Sequence, residues 1–161
     1  MKIRRVTMAD LAAIMLIERE NFSPKEAASP QAMRRRLDLS PETQLVIEEE
    51  TSQTLLGYVS SLPCPTDRLT DDLFDATSIV PEAPYLAVLS LSILSDCQGQ
   101  GLGSLLLAAL KEVALEQGRR GITLTCHETL VTYYEANGFV DSGYSQSNHG
   151  GSSWIDMLWQ A

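Results

Sequence analysis

One stretch constrains the fold of this chain more than any other. An apolar run, Tyr85 to Leu94, is followed by Gln98-Gly99-Gln100-Gly101-Leu102-Gly103-Ser104 and then by a helical pattern. The run is β-compatible on both faces, as a central strand covered by helices must be. From Gly103 onward, Leu106, Ala109, Leu110 and Val113 fall at i, i+3, i+4 and i+7 of one buried face, and Gly118 supplies the stop. A strand, a turn and a helix in that order return the chain across the sheet, so the next strand, Gly121 to Cys126, is expected parallel to the first. The turn also has chemical consequences. Glycines let a ligand approach the backbone closely, and the start of a helix offers unpaired N–H groups and a favourable dipole to an anion such as a pyrophosphate.

The other segments fill in a sheet around this unit. Lys2 to Val6 reads as a first strand, and Thr7-Met8-Ala9-Asp10 as a capping box before a helix that buries Leu11, Ile14 and Met15 and ends near Glu20. Phe22 to Ala28 is loop-like. Ser29-Pro30 then caps a short basic helix whose Arg34, Arg35 and Arg36 are expected to face solvent. Gln44 to Glu50 and Leu55 to Leu62 form a hairpin pattern, stopped by Pro63 and Pro65. The segment from Cys64 to Pro84, with Thr70-Asp71-Asp72 and Asp75, is long enough to be a functional loop and is expected near the substrate. Leu130 to Asn137 reads as a helix closed by Gly138, Phe139 to Tyr144 as a strand, and His149-Gly150-Gly151 as a turn into a last strand, Ser153 to Gln160. The order β-α-α-β-β-β-α-β-α-β-β predicts a mixed α/β (α+β) fold. Its central sheet of about seven strands is mostly antiparallel, with helices on both faces and one parallel pair.

Size and composition exclude several alternatives. The chain of 161 residues suits one domain spanning residues 1–161. Its apolar stretches are too short to span a bilayer, and no signal-peptide pattern follows the basic start, so a cytoplasmic address is expected, with no membrane partner. Cys64, Cys97 and Cys126 make no disulfide framework, and with His127 and His149 they form no zinc-type spacing, so no metal is expected. A net charge of −9 opposes nucleic-acid binding and suits a cationic partner.

Gln98, Gly101 and Gly103 match the pattern Gln/Arg-x-x-Gly-x-Gly/Ala, and here the sequence resembles the GNAT superfamily of N-acetyltransferases. The nearer resemblance is to the arylalkylamine (serotonin) N-acetyltransferase-like branch. It runs through Glu18-Arg19-Glu20-Asn21-Phe22, Asp67-Arg68-Leu69-Thr70, Leu86-Ala87-Val88, the glycine turn, and Cys126 to Tyr134. This resemblance implies an acetyl-CoA cleft where the strand ending near Leu94 splays from the strand ending near Cys126. The pantetheine arm would pair with backbone at Leu91 and Ile93. The pyrophosphate would rest on the turn formed by Gln98, Gly99, Gln100, Gly101, Leu102, Gly103 and Ser104. Arg119 and Arg120 read either as solvated helix-end cations or as contacts to the adenosine end. The resemblance also implies, through the Tyr-x-x-x-Gly-Phe segment, that Tyr134 is the general acid for the departing thiolate, with Tyr133 expected in the core.

The base is less direct. The branch carries two histidines on its central strand, and the matching positions here are Ala87 and Leu89, neither of which accepts a proton. Glu18, Glu20, Asp71 and His127 are the candidates for a base or for substrate contacts; otherwise Glu18 and Glu20 read as exposed helix-end residues. The resemblance implies a small amine acceptor, arylalkylamine- or polyamine-like, attacked directly in a ternary complex, and it admits a homodimer. Two other readings stand beside it: a protein N-terminal or lysine acetyltransferase, and a catalytically silent acyl-CoA-binding regulator.

Overall fold

The computed structural model describes residues 1–161. Seven strands form one sheet: β1 Lys2–Arg5, β2 Gln44–Glu48, β3 Leu55–Cys64, β4 Tyr85–Ile93, β5 Gly121–Cys126, β6 Val140–Tyr144 and β7 Ile155–Gln160. Their spatial order is β1-β2-β3-β4-β5-β7-β6, and only β4 and β5 run parallel. Four helices accompany them: α1 Leu11–Asn21, α2 Pro30–Leu39, α3 Leu102–Glu116 and α4 Val131–Ala136. This is the mixed fold expected from the order of elements.

Local chemistry explains the helix starts. The Thr7 N–H donates to Asp10 Oδ2 at 2.8 Å ahead of α1, and the Ser29 hydroxyl accepts the Ala32 N–H at 3.1 Å with Pro30 in the first turn of α2. The period-2 pattern of β2 then sorts the layers. Leu45 and Ile47 meet Leu106, Leu107 and Leu110 of α3 on one face, while Val46 and Tyr58 meet Ile14, Met15, Ile17 and Met33 of α1 and α2 on the other. On α3 the fully buried stripe is Leu106, Leu107, Leu110 and Ala114; Ala109 and Val113, expected inside, sit half-buried at its margin.

Two expectations are corrected. Pro63 does not end β3, which continues to Cys64. The β2 ladder stops at Gln44 opposite Ser60, so Pro63 pairs only with Leu86 of β4 and its missing N–H interrupts nothing on the other side. Arg34 and Arg35 face solvent, but Arg36 is 2% exposed and points beneath the sheet face that α1 and α2 cover. Its position one turn after Ala32 and Met33 places it on the inner face of α2.

The feature that positions the site is the brevity of the parallel pair. β4 and β5 are paired only at Tyr85–Gly121, Leu86–Ile122 and Ala87–Thr123. Beyond Ala87 they diverge. On its other side β4 shifts register against β3: Ser60 faces Ser90 while Ser61 faces Val88, leaving Leu89 as the extra residue of a bulge. A bulge bends its strand and increases local twist, which turns the second half of β4 away from β5.

Leu110 is fully buried between α3 and the sheet. Leu110→Ala is expected to lower stability by about 2–5 kcal/mol, read as a lower urea midpoint with an unchanged denaturant slope.

Candidate active site

Past Ala87 a groove of about 540 Å³ opens between β4 and the start of α3. Leu91 and Ile93 form one wall, and Gln98, Gly99, Gly101, Leu102 and Gly103 the other. Gln100 and Ser104 belong to the same turn without lining the groove. Gly99 and Gly101 have φ of +78° and +81°, and a Cβ built on either meets nothing within 4 Å. These glycines therefore serve backbone conformation and leave the approach open to a ligand. Gly103 serves packing, since a Cβ there would collide with the Tyr133 hydroxyl. The first backbone bond of the helix runs from the Leu105 N–H to the Gly101 carbonyl at 3.1 Å, which leaves the N–H groups of Leu102, Gly103 and Ser104 without helical partners. Several aligned donors at a helix start fit a pyrophosphate.

Gln98 and Ile93 line the groove and are also tied to each other. Gln98 Nε2 donates to Asn21 Oδ1 and to the Ile93 carbonyl, both at 3.1 Å, and Asn21 Nδ2 donates to the same carbonyl at 2.7 Å. The Ile93 oxygen is thus taken by protein donors, and Gln98 ties the turn to the ends of β4 and α1. Arg119 is also reassigned. It lies after the C-terminus of the 15-residue α3, roughly 22 Å from the glycine turn at about 1.5 Å per residue, and its Nη1 donates to the Ala83 carbonyl at 2.5 Å.

A second, tighter cavity of about 90 Å³ adjoins the groove and shares Phe22, Leu91, Leu130 and Tyr134 with it. Tyr134, 7% exposed, stands at the junction. Burial first, then Tyr133 and Cys126, raise its pKa above the ordinary tyrosine value, so the phenol stays protonated and can donate. Burial also pushes the neighbouring Cys126 thiol up to about 11, which keeps it un-ionised at neutral pH. Tyr133 is half-buried and also lines the groove rather than the core alone.

The inner walls of this chamber are aromatic and carry two imidazoles. His127, just after β5, stacks on Trp154 at 4.2 Å, and its Nε2 lies 3.1 Å from Glu26 Oε1. His149 stacks on Phe74 at 4.1 Å, and its Nε2 lies 3.0 Å from the Glu26 carbonyl oxygen. The Trp154 indole donates to the His149 carbonyl at 2.9 Å. Glu26 thus joins both histidines, one through its side chain and one through its backbone.

The expected acids fare differently. Glu18 is not an exposed helix-end residue: it is 1% exposed, lines the chamber, and accepts the Tyr58 hydroxyl and the Ala28 N–H, the latter at 2.8 Å. Glu20 is exposed and accepts both the hydroxyl and the N–H of Ser95, bonds that hold its carboxyl below the usual range and make it a poor base outside the chamber. Asp71 accepts from Ser147 Oγ and the Asn148 N–H, so it fixes the turn carrying His149 instead of lining the cavity. The acidic loop does reach the site, through Phe74. Of the positions expected to hold histidines, Ala87 is buried beside Cys64, Leu69 and Leu73, and Leu89 lines the chamber. Glu26, His149 and Phe74, in segments with no periodicity, and Trp154, in the expected last strand but just before the observed β7, carry no local sequence sign of a shared site.

The family described as Acetyltransferase (GNAT) domain matches residues 8–161. The chain belongs to this family. Solved structures of the same fold include a GphF GNAT-like decarboxylase in complex with isobutyryl-CoA, at 15% identity, 99% coverage of each chain and a TM-score of 0.83. Another is the loading GNATL domain of CurA from Lyngbya majuscula, at 14% identity, 99% and 96% coverage and a TM-score of 0.83. A third is the ribosomal-protein-alanine N-acetyltransferase from Brucella melitensis, at 21% identity, full coverage of both chains and a TM-score of 0.74. These likenesses are of fold and do not single out the arylalkylamine branch. As a GNAT acetyltransferase the chain takes acetyl-CoA as its donor, and the unpaired amides of the glycine turn suit the donor's pyrophosphate.

A side chain at Gly101 must occupy the left-handed region, at about 1–2 kcal/mol per residue. Gly101→Val is expected to weaken CoA binding by roughly tenfold or more in calorimetric titration, while circular dichroism reports a folded protein.

Proposed function

We propose that the inner chamber receives a small primary amine, which attacks the acetyl thioester directly in a ternary complex. The observation that supports this reading is the meeting of a small, aromatic-walled chamber with the donor groove at the Tyr134 phenol. An alkylammonium, with a pKa near 10 like that of lysine, has no lone pair until it loses a proton. Aromatic faces and the Glu26 carboxylate favour the cation's arrival, and His127 is the group placed to take its proton. Glu26, bonded to His127 Nε2, orients the imidazole and offsets the positive charge it gains. The freed nitrogen forms the C–N bond as the C–S bond breaks. The CoA sulfur leaves as a thiolate beside Tyr134 and takes the phenolic proton, the second proton shed by the nitrogen restores the phenol, and His127 returns its proton to solvent; the products are the N-acetyl amide, CoA thiol and one proton. This arrangement moves the base from the central strand to the end of β5.

A peptide acceptor is the second reading, favoured by the fold's likeness to a ribosomal-protein-alanine N-acetyltransferase. CoA thiol release measured against aromatic amines, polyamines and short peptides separates the two. Release with small amines alone supports the proposal, and release with peptides alone overturns it.

Tyr134→Phe is expected to lower kcat by about 10²–10⁴-fold while CoA affinity stays within about twofold. Because burial raises the phenol's pKa, wild-type kcat should show no alkaline fall from this group below about pH 10. A mutant as fast as wild type across pH 6 to 9 would remove Tyr134 from the mechanism.

A further inference from the structure

Arg36 has a charge with no counter-ion. Its guanidinium carries five N–H donors and makes two long bonds, Nη1 to Ser90 Oγ at 3.4 Å and Nη2 to the Phe74 carbonyl at 3.3 Å. Nε has no partner, and no carboxylate lies within ion-pair distance. Glu18, the acid whose field acts most on it, already accepts from Tyr58 and Ala28. A buried cation left in this condition is expensive unless a ligand completes its bonds.

A place for such a ligand lies beside it. Arg36 lines a cavity of about 240 Å³ that shares Glu18, Glu26, Phe74, Leu89, Ser90 and His149 with the acceptor chamber. The two spaces share these walls, with Tyr134 and His127 lining one and Arg36 the other. We infer that the acceptor is an amino acid or other aminocarboxylate, whose amine faces His127 and Tyr134 while its carboxylate binds Arg36. The inference rests on the small-amine reading above and narrows it. The planar guanidinium matches a carboxylate through two parallel hydrogen bonds, which an ammonium or a neutral group cannot make. A polyamine would bring a second cation against Arg36. A plain arylalkylamine would leave the guanidinium as unpaired as before. Glu18, Glu26 and Asp75 line the same cavity, but Glu18 already accepts from Tyr58 and Ala28 and Glu26 Oε1 meets His127, so Arg36 is the group there with unused N–H donors; charge on the distant surface is screened.

Two measurements test this independently. The first compares kcat/KM for matched acceptors at saturating acetyl-CoA: phenylalanine against phenethylamine, tryptophan against tryptamine, and β-alanine and 4-aminobutanoate against ethylamine and propylamine. At least one acid is expected to exceed its decarboxylated partner by about tenfold or more, and Arg36→Met to bring that ratio to about one. Preference for the plain amine in every pair, or a ratio unmoved by the substitution, overturns the assignment. The second needs no turnover: calorimetric titration of 3-phenylpropanoate and of 3-phenylpropanamide into wild-type protein. The carboxylate is expected to bind about tenfold tighter or better, and equal affinities overturn the proposal. If Arg36→Met does not fold, Arg36→Lys keeps a charge but loses the fork, and should reduce the same preference. Tighter carboxylate binding without acetylation of any amine would retain the Arg36 site while removing the acetyl-acceptor reading beneath it.

Discussion

The early parting of β4 and β5 is the constraint on which the rest of the site depends. Strands inside a sheet ordinarily satisfy their N–H and C=O groups against two neighbours, and exposed backbone in a half-buried setting must find other partners. Here the ladder lasts three residue pairs. The Ile93 carbonyl is then satisfied by Asn21 and Gln98, two side chains from different elements. The rest of the divergent edge faces the groove. An extended pantetheine arm is the kind of ligand that can use such an edge, because its amides supply what a missing strand would. The bulge at Leu89 and the glycine turn are two ends of the same device: one bends β4 away from its neighbour, the other brings a helix start to the opening.

Electrostatics follows the same local logic. The chain carries a net charge of −9 and still binds an anionic donor, so its overall field opposes the encounter. What favours binding is a short-range set of backbone donors at the start of α3, which no surface charge neutralises. Inside the chamber the ionisable groups are organised by hydrogen bonds more than by ion pairs. Glu18 is held by Tyr58 and Ala28, while Glu26 meets the two histidines through different atoms. Burial keeps the Tyr134 phenol protonated at the junction between the two cavities and the Cys126 thiol protonated in the inner chamber.

The order of elements, the parallel pair and the glycine turn were legible in sequence because each has a local signature: alternation, helical spacing, or glycines between a strand and a helix; Tyr134 stood out through the family resemblance, by its fixed distance from Gly138-Phe139. The parts that were not legible share a cause. Arg36 stands in a run of three arginines, and only the phase of α2 against Ala32 and Met33 decides that it turns inward while Arg34 and Arg35 do not. Glu18 reads as a helix-end charge until Tyr58, forty residues later, is seen to meet it. Glu26 and His149 lie in irregular segments far apart in the chain, and their meeting is a tertiary event with no periodic trace. Pro63 looked like a strand stop because a proline's permitted place depends on where the neighbouring strand ends.

The central strand carries no proton acceptor at Ala87 or Leu89, the first buried in packing and the second lining the chamber. Ala87 packs in a small cluster with Cys64, Leu69 and Leu73, a space that an imidazole could enter only by displacing core side chains. In the proposed mechanism the proton acceptor comes instead from the segments around this strand. The loop after α1 contributes Glu26, the end of β5 contributes His127, and the turn before β7 contributes His149, itself fixed through Ser147 and Asn148 by Asp71. A chamber assembled this way can change its acceptor through loop residues without disturbing the sheet that holds the donor.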